Sequence, residues 1–291
     1  MSTTTETVTS DRAVVISVSG TDASSPVLSP LQSMGHRNIA PPGIPHFSDI
    51  SSKRQWQLEH LAAAFRVFGR LGYAEGIAGH ISVRDPEFED RFWINPLGIH
   101  YSCLEVSDMI CLDMQGNVVG GNKSLPANAA GFTIHAACHL ARPDAHAICH
   151  AHSLYGKAWA TFGRPLDMIN QDVCYFYKGH TIYDDYGGIA FGSTEGSNIA
   201  QALGDARASI LVNHGLITVG ATVDEAAYLF TLLEKSCQIQ LMVEATRLPK
   251  RIIPDHDAAA IARVAGDPES LYVEFQPQYQ LEESLDASFK R

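Results

Sequence analysis

The chain has 291 residues, a formal net charge of −11 and a hydrophobic fraction of 45%. That is room for one large domain or two small ones with a substantial core, and it excludes disorder throughout. No block of lysine or arginine occurs, so nucleic acid and anionic membranes are poor partners, while small molecules or further copies of the chain are better ones.

Residues 1–52 are rich in Ser, Thr, Pro and Gly ("MSTTTETVTS", "APPGIPHFSD") and read as a disordered or extended N-terminal arm. "RAVVISVSG" within it has the pattern of one added strand. The folded domain is expected over 53–250. It opens with a helix over 54–71, where Trp56, Leu58, Leu61, Phe65, Phe68 and Leu71 fall at helical spacing and Gly72 stops it. "HISVRD" and "RFWINPLG" follow as short strands, then "DMICLDMQGNVV" as a hairpin-like pair turning at Gln115–Gly116.

"AAGFTIHAACHLARPD" is a helix closed by Arg142–Pro143, "AHAICHAHS" a strand directly after it, and "SLYGKAWATFG" a helix starting at Ser153. "TEGSNIAQALGD" is helical. "ASILVNHGLITVG" reads as an apolar strand interrupted by Asn213–His214–Gly215. A long helix follows, with a capping box of Thr222 and Glu225. Residues 251–291, with prolines at 254, 268 and 277, are expected as a mixed extension packed on the domain surface. The pattern predicts a single α/β domain with a central, mainly antiparallel sheet flanked by helices.

Six cysteines (Cys103, Cys111, Cys138, Cys149, Cys174, Cys237) are scattered through apolar segments without a CxxC pair, the pattern of reduced core thiols. The first thirty residues have no signal-peptide pattern, and no apolar run approaches the ~20 residues of a membrane span. A cytoplasmic protein with no membrane partner is expected.

The histidines carry the chemistry. In a strand, residues two apart share a face, so His150 and His152 point the same way, with small Ala147, Cys149 and Ala151 on the other side. Two readings stay open: half of a metal site, or two polar residues where a strand meets its loop. A catalytic ion needs a third protein ligand and an open position, and His214, beside the permissive Gly215, is the best candidate. His135 and His139, four apart on a helix with no acidic residue between them, read as hydrogen-bonded or solvent-facing side chains. His146, four residues before His150 on the strand, sits more than ~13 Å away and is not a ligand.

Taken together, "GHISVRD", "INPLGI", "ARPDAHAICHAHS" and "ASILVNHGLITVGATVDEA" resemble the class II aldolase/adducin family in order and spacing over about residues 57–250. The resemblance implies that His150, His152 and His214 bind one divalent ion per subunit, zinc first, with manganese or cobalt as substitutes. It also implies a homotetramer with active sites at subunit interfaces.

Three departures stand out. The family's Pro-Ser-Ser-Glu stretch is "LPANAAGFTI" here, with neither serines nor a carboxylate; the first phosphate loop reads Gly79–His80; the second reads Leu97–Gly98. Phosphate binding is thus not expected, and the substrate contacts fall to His80, Asn95, Gly98 and Asn128. With the family's glutamate missing, the resemblance makes Asp172, reaching a neighbouring subunit's site, the first choice of acid or base; a solvated loop carboxylate is its other reading. Glu195 reads as a first-turn helix residue, and Tyr175, Tyr177, Tyr183 and Tyr186 crowd the same region.

The expected activity is that of a metal-dependent lyase making or breaking a carbon–carbon bond, by aldol-type cleavage or decarboxylation through a metal-stabilised enolate, on a small unphosphorylated hydroxy or keto substrate. A metal-dependent epimerase or dehydratase is the nearest alternative. A non-catalytic, adducin-like cytoskeletal or assembly domain is the alternative of another class, against which stand the retained histidines and the absence of a lysine-rich tail.

Overall fold

Asp49 starts the first long helix by accepting a hydrogen bond from the Ser52 amide at 2.8 Å. In the computed structural model, which describes residues 28–190 and 192–291, this helix is α2, Ile50–Arg70, preceded by the short α1, Pro30–Met34. It begins one turn before Arg54 and ends where Gly72 takes φ +79. Leu58, Leu61, Phe65 and Phe68 are buried on its inner face. The strand expected from "RAVVISVSG" lies outside the described residues. Part of the expected arm is seated on the domain: Leu31 is buried, and the Ile44 amide donates to the Glu269 carboxylate at 2.7 Å.

Among the described residues eight strands make one sheet: β1 His80–Arg84, β2 Arg91–Ile94, β3 Ile110–Asp113, β4 Val118–Gly121, β5 Ala147–Ala151, β6 His180–Tyr183, β7 Ala208–Leu211 and β8 Gly215–Gly220. Their order is β4-β3-β2-β1-β5-β8-β7-β6, and only β6 and β7 run parallel. The sheet is therefore mainly antiparallel, as the sequence pattern implies. The run 208–220 is not one interrupted strand. It is a hairpin, with Leu211 paired to Gly215 and Asn213 turning the chain at φ 57. A continuous apolar run hides such a reversal because both arms are buried.

Alternation along β5 sorts its residues between two layers. Ala147, Cys149 and Ala151 join the larger core, with Phe65 and Phe68 of α2, Trp159 of α4 (Leu154–Ala160) and Phe230 of α6 (Val223–Thr246). Ile148 joins the other layer, with Ile134 of α3 (Ala129–Ala141) and Ile199 of α5 (Ser193–Leu203). His150 is in register with Ile148 and faces this second layer. The small residues behind it let β5 press against the main core.

The C-terminal stretch departs from a surface wrap. It forms α7, Asp255–Ala265, and α8, Pro268–Leu285, and Leu271, Phe275 and Phe289 are fully buried in the main core. Two of its prolines start helices rather than break them: Pro254 sits at the cap of α7 and Pro268 in the first turn of α8. Thr222 caps α6 through the Glu225 amide, but the Glu225 carboxylate accepts from Ala221, one residue before the box position. Five cysteines are buried thiols, while Cys103 is exposed. Among the described residues no helix is long and apolar enough to cross a membrane.

Candidate metal centre

Pairing around β5 assembles the site. His150 lies opposite His80 on β1 and Ile217 on β8. His152 follows just past the end of β5, and the turn between β7 and β8 presents His214. The ring centroids of His150 and His152 are 5.1 Å apart, and His214 lies 4.8 Å from each. One nitrogen from each ring falls within 4.8 Å of the others. Gly215 is needed for this approach: a Cβ there would meet the Ala151 carbonyl at 2.7 Å and the His152 ring at 3.5 Å.

The donor set fits a divalent cation. His150 donates from Nδ1 to the Leu216 carbonyl at 2.9 Å, so its Nε2 carries the lone pair, and this backbone contact fixes the ring. His214 has a buried Nδ1 with no hydrogen-bond partner. Burial, reinforced by the neighbouring histidines, pushes His150 well below the usual imidazole range and His214 down to about 4. Burial lowers His152 as well, with the Lys157 ammonium adding to it. Three neutral imidazoles result, the form a metal takes, and an all-nitrogen set of this kind suits zinc.

The trio opens into a cavity of about 430 Å³. Ile77, Leu97, Ala130, Ile134 and Ile189 give it apolar walls, and Tyr186 stands at its edge. Among the described residues its lining holds no Asp, Glu, Lys, Arg, Ser or Thr. The charges that act on His152, the Lys157–Glu75 ion pair, lie outside the lining.

Of the expected substrate contacts, His80 and Asn128 line this cavity. Asn128 caps α3, its oxygen accepting from Gly131 at 3.0 Å while its nitrogen reaches the Ile77 carbonyl at 3.4 Å, which leaves one N–H for a ligand. Asn95 is buried but turns elsewhere, donating to the Pro96 carbonyl at 3.3 Å, and neither it nor Gly98 lines the cavity. Asp172 is exposed at the start of the 3-10 turn Asp172–Phe176, which packs against α7, and a single chain does not bring it to the histidines.

His135 and His139 are buried in α3, hydrogen-bonded and outside the metal group. Burial drives His80 and His135 well below the usual range and His139 to about 3. Glu195 stands in the first turn of α5, accepting from the Tyr183 hydroxyl at 2.8 Å. The sequence reading passed over Ser82, two residues after His80 on the same strand face, which links His135 to His139.

Residues 59–241 match the family described as the class II aldolase and adducin N-terminal domain. The Meiotically up-regulated gene 14 protein of Schizosaccharomyces pombe is 47% identical over 243 residues, covering 82% of this chain and 94% of that protein. Decarboxylase NovR of Streptomyces niveus is 39% identical over 224 residues, covering 76% of this chain and 80% of NovR. The structure of an L-fuculose 1-phosphate aldolase from Glaciozyma antarctica PI12 is similar with a TM-score of 0.79 at 40% identity, over 85% of this chain and 96% of that one.

Proposed function

The chain belongs to the class II aldolase and adducin family and is an enzyme of its aldolase-like kind, and on that premise we propose that it is a metal-dependent lyase. It makes or breaks a carbon–carbon bond of a small, unphosphorylated hydroxy or keto substrate. The observation that carries this reading is the cavity itself, with three neutral histidines at one end and no charged side chain among its described lining residues. Away from the ion, the described lining offers a phosphate no cationic side chain and no Ser or Thr hydroxyl, and each missing hydrogen bond to a charged group is worth roughly 1.5–3 kcal/mol.

His150, His152 and His214 would hold the ion, zinc by preference with manganese or cobalt as substitutes. When bound, such an ion polarises a carbonyl or hydroxyl oxygen and so eases charge build-up on it. The apolar walls exclude water, and His80 and Asn128 orient the polar end of the substrate. The relatives named an aldolase and a decarboxylase share carbon–carbon scission, which supports the reaction class. The absence of a carboxylate in the lining favours decarboxylation, in which loss of carbon dioxide spares the enzyme a proton abstraction. Where an acid or base is needed, Asp172 of an adjacent copy in a homotetramer supplies it. The protein works in the cytoplasm in this reading.

The test is a panel assay on the zinc-loaded protein, reading release of carbon dioxide or aldehyde from hydroxy and keto acids beside release from sugar phosphates. Turnover confined to the unphosphorylated acids is expected. Efficient cleavage of L-fuculose 1-phosphate would overturn the substrate assignment.

A further inference from the structure

Behind the metal histidines runs a second line of buried polar groups. His80 Nδ1 lies 2.7 Å from His135 Nε2, His135 Nδ1 lies 2.5 Å from Ser82 Oγ, Ser82 Oγ lies 2.8 Å from His139 Nε2, and His139 Nδ1 lies 3.1 Å from the Ala145 carbonyl. All four side chains are buried. It is a single file, leading from a backbone carbonyl behind α3 to the wall of the cavity.

The direction of the file follows from its fixed end. A neutral imidazole has one N–H and one lone pair, and a hydroxyl has one hydrogen to give. The Ala145 carbonyl can only accept. His139 therefore donates from Nδ1, the Ser82 hydroxyl donates to His139 Nε2, His135 donates from Nδ1 to Ser82, and His80 donates from Nδ1 to His135 Nε2. Every link then holds one hydrogen. The reverse order would set the carbonyl against a lone pair. At the open end His80 keeps its Nε2 lone pair, for which no described residue supplies a donor, with its ring 4.9 Å from that of His150.

We propose that this file of hydrogen bonds fixes His80 as an acceptor at Nε2, so that the cavity selects a substrate presenting a hydroxyl to that wall and discriminates against an ionised oxygen there. The inference rests on the cavity being the substrate site. With the free N–H of Asn128 as donor, His80 and Asn128 set an acceptor and a donor beside the metal histidines, apart from the Tyr186 hydroxyl. This pairing fits a hydroxy acid, its hydroxyl on His80 and a carboxyl oxygen on Asn128. Ser82, His135 and His139 are positioning residues that act through His80. Gly131 makes the arrangement possible, since a Cβ there would stand 2.7 Å from the His80 ring.

Nitrogen NMR of the full chain with labelled histidines reads the proton positions directly. Wild type is expected to show His80 protonated at Nδ1 and bare at Nε2, and protonation at Nε2 would overturn the proposal. Ser82→Ala should give His80 a mixture of tautomers, whereas Ser82→Thr, which keeps the hydroxyl, should restore the single form; an unchanged tautomer in Ser82→Ala would also overturn it. Calorimetry with mandelate and phenylacetate, which differ by one hydroxyl, reads the selectivity. Mandelate should bind several-fold to about tenfold more tightly to wild type, and this preference should shrink in Ser82→Ala and return in Ser82→Thr. Equal affinities in wild type would refute the selectivity. If neither acid binds, the failure falls on the cavity as a substrate site, while the nitrogen resonances still decide the direction of the file.

Discussion

Replacing Glu234 by Gln tests how the loop after His152 is held. Glu234 is a buried carboxylate on α6 that receives the Ser153 hydroxyl at 2.5 Å and the Gly156 amide at 2.6 Å on one oxygen, and the Tyr155 amide at 2.8 Å on the other. These are the first groups of α4, whose chain enters directly from His152. An amide side chain keeps one oxygen, enough for Ser153 and Gly156, but turns its NH2 toward the Tyr155 N–H. That leaves a donor facing a donor, at about 1–3 kcal/mol. Loss of the negative charge at a helix N-terminus adds about 0.3–1 kcal/mol, and the smaller desolvation of a neutral group offsets part of the total. The net expectation is a destabilisation of about 1–3 kcal/mol. At about 2–4 °C per kcal/mol in large domains, the melting temperature should fall by several degrees. Thermal and urea unfolding followed by circular dichroism measure it, and zinc affinity should weaken in parallel as His152 loses its anchor. A variant as stable as wild type, with unchanged zinc affinity, would refute the reasoning.

Asp172→Asn should leave metal content intact and lower turnover on the order of 10²–10⁴-fold if the carboxylate serves a neighbouring copy as acid or base; a small effect would assign the reaction to decarboxylation without that base. Light scattering at micromolar concentration should report a tetramer, and a monomer would remove Asp172 from the site. Gly131→Ala should lower turnover even though alanine improves helix propensity by about 1 kcal/mol, because the added methyl displaces the His80 ring; unaltered kinetics would show that His80 is not a substrate contact. Gly215→Ala should weaken zinc binding by forcing the β7–β8 turn away from Ala151, as zinc titration would show.

Much of the architecture was legible because it follows from short-range rules. The helical spacing of Leu58, Leu61, Phe65 and Phe68 marked the buried face of α2, and strand alternation placed His150 and His152 on one face. The reversal at Asn213 was not legible, since both arms of the β7–β8 hairpin are apolar and periodicity does not register a turn between buried strands. The C-terminal helices were masked by prolines, which suggest interruption but here open helices at Pro254 and Pro268. Asn95 illustrates another limit: Leu97, two residues on, lines the cavity, yet the Asn95 side chain turns to the Pro96 carbonyl. The contact of Ser82 with His135 and His139 depends on α3 packing against β1, an arrangement more than fifty residues apart in sequence, and no local pattern encodes it.

The central claim is that His150, His152 and His214 form one metal centre that serves the chemistry. Titrating zinc into the metal-stripped protein by calorimetry, beside His214→Ala, tests it most directly. The account predicts one zinc per subunit in wild type and loss of that binding in the variant, with the fold retained by circular dichroism. No zinc binding in wild type, or the same stoichiometry and affinity in His214→Ala, would contradict it.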